Sequence, residues 1–256
     1  MEPVYDTVIA LARSLWAAEG LKFTVSGVEN VPKSGGAVIA VNHTGYLDFT
    51  YAGLPAFLQG KRKVRFMAKK EVFDNKISGP IMRSLRHIPV DRGAGADSYR
   101  TAVDYLRDGE LVGVYPEATI SRSFEIKAFK SGAARMAQEA GVPIVPVVIW
   151  GAQRVWTKGH PKRLGRTNIP ISIGVGTPID ASGDPTEVTA ELHRAMSELL
   201  HGLQETYGPY PQGEFWVPAR LGGGAPTLVE ANQMDADEQA EKAAKRAAKQ
   251  AEGRNN

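Results

Sequence analysis

Short apolar runs that alternate with helical patterns constrain the fold of this 256-residue chain more than any other feature. The runs Ala37–Val41 and Val142–Trp150 contain no charged side chain. Such runs are typical of strands that are buried on both faces of a sheet. Helical patterns lie between the apolar runs, for example over residues 96–108 and 131–140. This alternation predicts an α/β fold, a single domain with a mostly parallel or mixed sheet flanked by helices.

Proline and glycine refine this prediction at two places. Pro143 and Pro146 favour an edge position or an irregular end for the second apolar run, because proline cannot donate a ladder hydrogen bond. One helix is expected over residues 46–58. Another is expected over residues 70–86, with an interruption at Gly79-Pro80.

Composition divides the chain into regions. Apolar side chains at helical spacing predict an amphipathic N-terminal helix: Val4, Val8, Leu11, Leu15 and Trp16. This helix either packs on its own domain or lies on a membrane surface. The tail has almost no large apolar side chain, so it is expected to be a solvated helix or disordered. The predicted regions are the N-terminal helix (1–20), the α/β domain (21–207), an irregular Gly- and Pro-rich segment (208–229) and the charged Ala/Glu/Lys tail (230–256).

Composition also excludes several functional classes. The chain has no cysteine, which excludes disulfides, thiolate metal sites and a cysteine nucleophile. No apolar stretch reaches the roughly 18 residues of a transmembrane helix, and no secretory signal is recognised. No spacing of His, Asp and Glu predicts a metal site. The net charge is +3, and the six cations of residues 61–70 come with one aromatic residue and no nucleic-acid-binding signature.

The segment directly after the first apolar run reads Asn-His-Thr-Gly-Tyr-Leu-Asp, residues 42–48. His43 is thereby placed at a strand end, and Asp48 follows five positions later. A histidine with a carboxylate partner can take a proton from a hydroxyl, because the carboxylate holds one imidazole tautomer and stabilises the imidazolium. The structural alternative is that Asn42 or Thr44 caps a helix and Asp48 lies near its positive end.

Two other charged residues also follow predicted strands. Arg92 comes two positions after the short strand expected at His87–Val90, and Glu117 comes two positions after the strand expected at Leu111–Tyr115. Ligand sites in α/β sheets form at strand ends. We therefore expect His43, Arg92 and Glu117 to share one site.

Four ordered sequence blocks resemble the glycerolipid acyltransferase family, of the lysophosphatidate acyltransferase type, over roughly residues 20–180. The blocks are Asn42–Asp48, Ile88–Arg92, Val114–Arg122 and Val142–Val147. The resemblance implies an enzyme that moves a fatty acyl chain from acyl-CoA or acyl carrier protein to the free hydroxyl of 1-acylglycerol 3-phosphate. The product would be phosphatidic acid, made in phospholipid biosynthesis. No cofactor is implied beyond the acyl thioester co-substrate. The expected location is peripheral, on the cytoplasmic face of the membrane, without a transmembrane span.

The resemblance also implies roles for individual residues. His43 would be the general base and Asp48 its orienting partner, and transfer would be direct, without a covalent enzyme intermediate. Arginine suits a phosphate because it can bind it bidentately. The residues implied to bind the acceptor or its phosphate are Lys69, Arg92, Glu117, Thr119, Ser121 and Lys130.

The third block departs from the family pattern, which reads Pro-Glu-Gly-Thr-Arg-Ser. This chain has Ala118 in place of the glycine and Ile120 in place of the arginine, with Arg122 two residues later as a possible substitute. Loss of a cation bears on which acceptor is bound. One alternative is therefore an acyltransferase for another lyso-lipid or a glycolipid. A second alternative is a non-catalytic lipid-binding protein.

Overall fold

The computed structural model describes residues 2–91 and 95–254. Over these ranges the strands are β1 (Lys22–Ser26), β2 (Ala37–Val41), β3 (Val64–Lys69), β4 (Ile88–Val90), β5 (Leu111–Val114), β6 (Ile144–Trp150) and β7 (Pro170–Val175). They form a seven-stranded sheet in the order β1-β7-β6-β2-β5-β3-β4. Strands β6, β2, β5, β3 and β4 run in the same direction. Strand β7 is antiparallel to β6, and β1 is parallel to β7. The predicted mixed α/β fold is confirmed.

Helices connect the strands. They are α1 (Pro3–Ala18), α2 (Asp48–Ala52), α3 (Leu54–Gly60), α4 (Lys70–Asp74), α5 (Ser78–Ser84), α6 (Gly95–Arg107), α7 (Gly132–Ala140), α8 (Pro185–Tyr207) and α9 (Leu228–Arg254). Across the described ranges, no helix combines the length and apolar character needed to cross a bilayer.

The two apolar runs form the centre of the sheet. Every residue of β2 and of β6 is buried, so both faces of these strands are covered. Fully burying one Val, Ile or Leu side chain contributes roughly 1.5–3 kcal/mol. The central strands, with Ile39 and Ile149 in the main apolar cluster, therefore give the loops that follow them a rigid base.

Strand β6 does not lie at an edge, so that part of the sequence prediction is wrong. It lies between β2 and β7, with Pro146 opposite Ala40. The last antiparallel pair with β7 is Val147 and Val175. Just beyond it, the Pro146 carbonyl accepts the N–H of Gly176 at 2.9 Å. The N–H and C=O of one strand residue point towards the same neighbouring strand. The N–H that Pro146 lacks would therefore point towards the β7 side, beyond the last ladder pair. No ladder hydrogen bond is lost, so the central strand tolerates proline here.

One helix has an interruption that was not expected, and the interruption expected at Gly79-Pro80 occurs at another position. The helix expected over residues 46–58 is divided at Gly53 into α2 and α3. In the segment 70–86 the break falls before α5, where the Asn75 side chain accepts the N–H groups of Ile77 (2.9 Å) and Ser78 (3.1 Å). Pro80 lies in the first turn of α5, where a helix does not need its N–H.

Helix α1 packs on the sheet domain through one face. The Trp16 ring lies 4.9 Å from the ring of Phe23 and 5.5 Å from that of Tyr51, measured between centroids. Leu11 and Leu15 remain exposed. The helix is thus anchored to its own domain through one face and presents apolar side chains on the other.

The described chain forms two compact units. The first contains the sheet and runs up to Ile120 and from Ile126 to Gly208. The second contains Ser121–Glu125 and the chain from Pro209 onward. Within this second unit the tail forms helix α9. Arg122 makes ion pairs with two carboxylates of that helix, those of Asp235 and Glu238.

Candidate active site

The parallel direction of β2, β5, β3 and β4 places their carboxyl ends at one edge of the sheet. His43 lies two residues beyond the end of β2, and Glu117 lies three beyond the end of β5. Lys69 is the last residue of β3 and is exposed. Arg92, the predicted phosphate ligand after β4, lies outside the described residues.

His43 and Asp48 form a hydrogen-bonded pair. The Nδ1 atom of His43 lies 3.0 Å from Oδ2 of Asp48. The same oxygen accepts the backbone N–H groups of Thr44 (2.7 Å) and Gly45 (2.8 Å). Asp48 is fully buried, so these donors compensate the desolvation of its charge. The residue before α2 is Leu47, with no side-chain cap; the alternative in which Asn42 or Thr44 caps this helix is wrong.

The partners of Asp48 determine which imidazole nitrogen is basic. An ionised carboxylate only accepts hydrogen bonds, so Nδ1 of His43 carries the proton in this pair. Nε2 is then left with its lone pair. The His43 side chain is 21% exposed, which leaves it accessible from one side. The geometry is that of a general base with a carboxylate partner.

The side chain of Asn42 anchors the backbone directly before His43 to strand β6. Its amide nitrogen donates to the carbonyl of Ile149 (3.0 Å), and its amide oxygen accepts the N–H of Ile149 (2.7 Å). A side-chain amide offers one donor and one acceptor side by side, as a peptide does. Asn42 therefore extends the pairing of β2 with β6 by one residue. The sequence analysis missed this role, because the partner is 107 residues away.

The side chain of Glu117 holds the backbone of His43 through a hydrogen bond. One carboxyl oxygen accepts the backbone N–H of His43 (2.8 Å), and the other accepts the N–H of Lys127 (3.1 Å). Burial raises the pKa of Glu117 to about 8, although these two hydrogen bonds and the charge of Lys127 act in the opposite direction. The contact with acceptor implied for Glu117 stays a prediction, whereas its contact with the His43 backbone is present.

Tyr115 stacks on the His43 imidazole. The ring centroids are 4.2 Å apart and the planes are inclined by 23°. Phe66 stacks on Tyr115 in turn, at 6.3 Å and 21°. The stack supports the plane of the imidazole. The sequence contains part of this signal, since an aromatic residue ends the predicted strand directly before Pro116-Glu117. Local spacing could not show that its ring stacks on His43.

The other predicted acceptor ligands are spread over both units. Thr119 is half-buried in the first unit, where Lys130 is exposed and its backbone N–H donates to the Pro116 carbonyl (3.0 Å). Ser121 belongs to the second unit, is fully buried, and its hydroxyl donates to the Glu125 carbonyl (2.7 Å). Their contacts with a substrate stay predictions.

The departures in the third block have structural counterparts. Ala118 has a φ of 59°, the left-handed region that glycine adopts without cost. Ile120 is buried. The Arg122 guanidinium lies 3.4 Å from Asp235 and 2.9 Å from Glu238 of α9. These ion pairs commit Arg122 to the second unit.

Among the six cations of residues 61–70, Arg62, Lys63 and Arg65 are paired within the protein. Arg62 donates to the carbonyls of Pro32 and Gly109. Arg65 is buried and pairs with Glu2 and Glu110. This cluster stabilises the fold. No group of three His, Asp or Glu in the described part of the chain could hold a metal ion.

Comparison with known proteins agrees with these blocks. The family model described as Acyltransferase matches residues 22–150, which begin at β1 and end with β6. A 1-acyl-sn-glycerol-3-phosphate acyltransferase of Bacillus subtilis is 31% identical over 177 residues, covering 68% of this chain and 81% of that protein. A probable enzyme of the same name in Mycoplasma pneumoniae is 33% identical over 209 residues, covering 76% and 74%.

A solved structure shares the fold. The 1-acyl-sn-glycerophosphate acyltransferase PlsC of Thermotoga maritima superposes with a TM-score of 0.58 at 22% identity, covering 78% of this chain and 81% of that one. The family model spans half of the chain and includes the His43–Asp48 pair and Glu117. The chain belongs to the acyltransferase family.

Proposed function

We propose that this protein is an O-acyltransferase that moves a fatty acyl chain from an acyl thioester to the free hydroxyl of 1-acylglycerol 3-phosphate, giving phosphatidic acid. The observation that carries the proposal is the His43–Asp48 pair, in which Nδ1 faces the carboxylate at 3.0 Å. The names of the Bacillus subtilis and Mycoplasma pneumoniae relatives support this acceptor.

The reaction uses His43 first as base and then as acid. Nε2 takes the proton of the acceptor hydroxyl while its oxygen attacks the thioester carbonyl carbon, forming the new C–O bond. The tetrahedral intermediate collapses with cleavage of the C–S bond, and the imidazolium returns its proton to the leaving thiolate. Asp48 stabilises the imidazolium through Nδ1. General base catalysis of this kind contributes about 10²–10⁴-fold to the rate.

Cations at the strand ends would bind the acceptor. We assign the phosphate to Lys69, the last residue of β3, and to Arg92, which comes two positions after the parallel strand β4 in the sequence. Thr119, Ser121 and Lys130 are assigned to positioning the acceptor, whereas Glu117 is assigned to holding the backbone of His43. The donor is acyl-CoA or acyl carrier protein, and the reaction takes place peripherally at the cytoplasmic membrane surface.

A different acceptor is the second candidate. It is favoured by Ile120, which replaces the family arginine and is buried, and by the engagement of Arg122 with Asp235 and Glu238. With that cation absent, another lyso-lipid or a glycolipid would meet less positive charge than the family pattern provides. The reaction chemistry would be unchanged.

An acceptor and donor panel tests the proposal. Radiolabelled oleoyl-CoA and oleoyl carrier protein are each offered with lysophosphatidate, lysophosphatidylglycerol or monoacylglycerol, and only product that requires His43 is counted. The proposal expects lysophosphatidate to be preferred. Preference for another acceptor would reassign the substrate. Absence of product with both donors would favour the non-catalytic lipid-binding alternative.

A further inference from the structure

A basic loop follows the last strand of the matched region and is rich in exposed cations. We define it as residues 156–166. It carries Lys158, Lys162, Arg163 and Arg166, and no acidic residue occurs between Ala152 and Ile179. Lys162, Arg163 and Arg166 are exposed. Among the cations of residues 61–70, Arg62, Lys63 and Arg65 are paired within the fold.

Exposed apolar and aromatic side chains lie among these cations. Leu164 is 48% exposed. Tyr46, which is 43% exposed, packs its ring 4.7 Å from that of Trp156. The ammonium of Lys162 lies over the Trp156 ring, 4.4 Å from its centroid. Tyrosine and tryptophan beside Lys and Arg are the side chains enriched where proteins meet the bilayer interface.

The basic loop is joined to the segment that carries His43. The backbone N–H of Tyr46 donates to the Trp156 carbonyl (3.0 Å), and the Thr157 hydroxyl donates to the Thr44 carbonyl (2.6 Å). Gly45 is required here, because a Cβ at that position would lie 2.8 Å from the Trp156 carbonyl oxygen. Whatever binds the basic loop is therefore held next to the His43 loop.

From these observations we propose that the basic loop and Tyr46 form a docking surface for an anionic lipid bilayer. Its cations match the charge of anionic headgroups, and Tyr46, Trp156 and Leu164 match the interfacial region beneath them. The placement beside His43 would bring a membrane-resident acceptor to the base. Helix α1 carries only one cation, Arg13, so it does not account for a preference for anionic lipid. The inference deepens the proposed function, but its readout is binding and not acyl transfer.

The test is co-sedimentation of the full chain with vesicles. Vesicles of phosphatidylcholine with about 30 mol% phosphatidylglycerol, which carry a negative surface potential, are compared with vesicles of pure phosphatidylcholine. The variant is Lys162→Gln/Arg163→Gln/Arg166→Gln. The matched control, Lys33→Gln/Arg100→Gln/Arg135→Gln, removes the same charge at exposed positions elsewhere in the first unit.

We expect the loop variant to lose about 100-fold in partitioning onto anionic vesicles, since it removes three cations and each contributes roughly fivefold near such a surface. The control and His43→Ala should bind like wild type. Leu164→Ser should weaken binding to both vesicle types. With detergent-dispersed lysophosphatidate and oleoyl-CoA, the loop variant should retain wild-type acyl transfer.

Two outcomes would overturn the inference. In the first, the loop variant and the control bind anionic vesicles equally. In the second, the loop variant keeps vesicle binding but selectively loses transfer from an acyl carrier protein, which would make the surface a dock for that acidic protein. Because His43→Ala tests the chemistry and the loop variant tests binding, failure of one is distinguished from failure of the other.

Discussion

The carboxyl group of Glu117 accepts the backbone N–H of His43 at 2.8 Å. The third sequence block therefore holds the backbone of the first through a direct hydrogen bond. The other oxygen of Glu117 accepts the backbone N–H of Lys127. The carboxyl group therefore connects the backbone of His43 with the backbone of Lys127.

Glu117→Gln tests this positioning role. Glutamine would turn an NH₂ donor towards one of the two N–H groups, leaving a buried donor unsatisfied at a cost of about 1–3 kcal/mol. We expect kcat to fall at least about 10-fold, as His43 shifts, with the acceptor KM unchanged. The exposed Glu187→Gln is the control. A raised KM with unchanged kcat would instead indicate that Glu117 binds the acceptor.

Asp48→Asn tests the orientation of the imidazole. The asparagine oxygen can still accept the N–H groups of Thr44 and Gly45, so the loop is expected to fold. It can no longer stabilise an imidazolium charge, and kcat should fall about 10²–10⁴-fold. Steady-state kinetics together with a thermal melt separate this loss from unfolding. Wild-type kcat would show that the pair does not operate as base and partner.

Ala118→Gly tests the strain in the third block. Ala118 has a φ of 59°, which costs a non-glycine residue roughly 1 kcal/mol, part of which is offset by the higher chain entropy of glycine when unfolded. We expect the variant to gain up to about 1 kcal/mol in the free energy of unfolding. The control Ala190→Gly, in the interior of α8, should lose about 0.5–1 kcal/mol. Equal destabilisation of both variants would contradict this explanation.

His87 predicts an acid-dependent loss of stability. It is buried and its Nδ1 accepts the backbone N–H of Phe66 at 3.0 Å. Burial, with a smaller effect from the Arg65 charge, lowers the His87 pKa from 6.5 to about 4. The unfolded chain therefore binds the proton first as pH falls, so the contribution is complete above pH 6.5 and is lost between about 6.5 and 4.

The size of this effect follows from the shift. At 1.36 kcal/mol per pKa unit, the His87 contribution is about 3 kcal/mol. Urea unfolding at pH 7, 5.5 and 4 measures it, and His87→Gln should flatten the decline. The exposed His201→Ala should leave the wild-type pH profile unchanged. A wild-type slope that survives in His87→Gln would assign the acid sensitivity to other groups.

The central strands could be predicted because their signal is local. Ala37–Val41 is an uninterrupted apolar run, and burial on both faces follows from that composition. The position of β6 was mispredicted because whether a proline disturbs a sheet depends on its place in the ladder, as for Pro146. That place is set by the register with β7, which no local pattern contains.

In the candidate site, too, local relationships could be predicted from the sequence and long-range contacts could not. His43 and Asp48 are five residues apart, so their pairing could be proposed from spacing. Asn42 contacts Ile149, and Glu117 contacts His43 across 74 residues. These contacts arise from the order of strands in the sheet. The sequence therefore suggested which residues share the site but not which of them support the others.

The most direct test of the account is the single-turnover rate of oleoyl transfer to lysophosphatidate by wild type and by His43→Ala, with the exposed His201→Ala as control. The account predicts transfer by wild type and by the control, and a loss of at least about 10²-fold in His43→Ala, with unchanged folding by circular dichroism. Transfer at the wild-type rate by folded His43→Ala would contradict it.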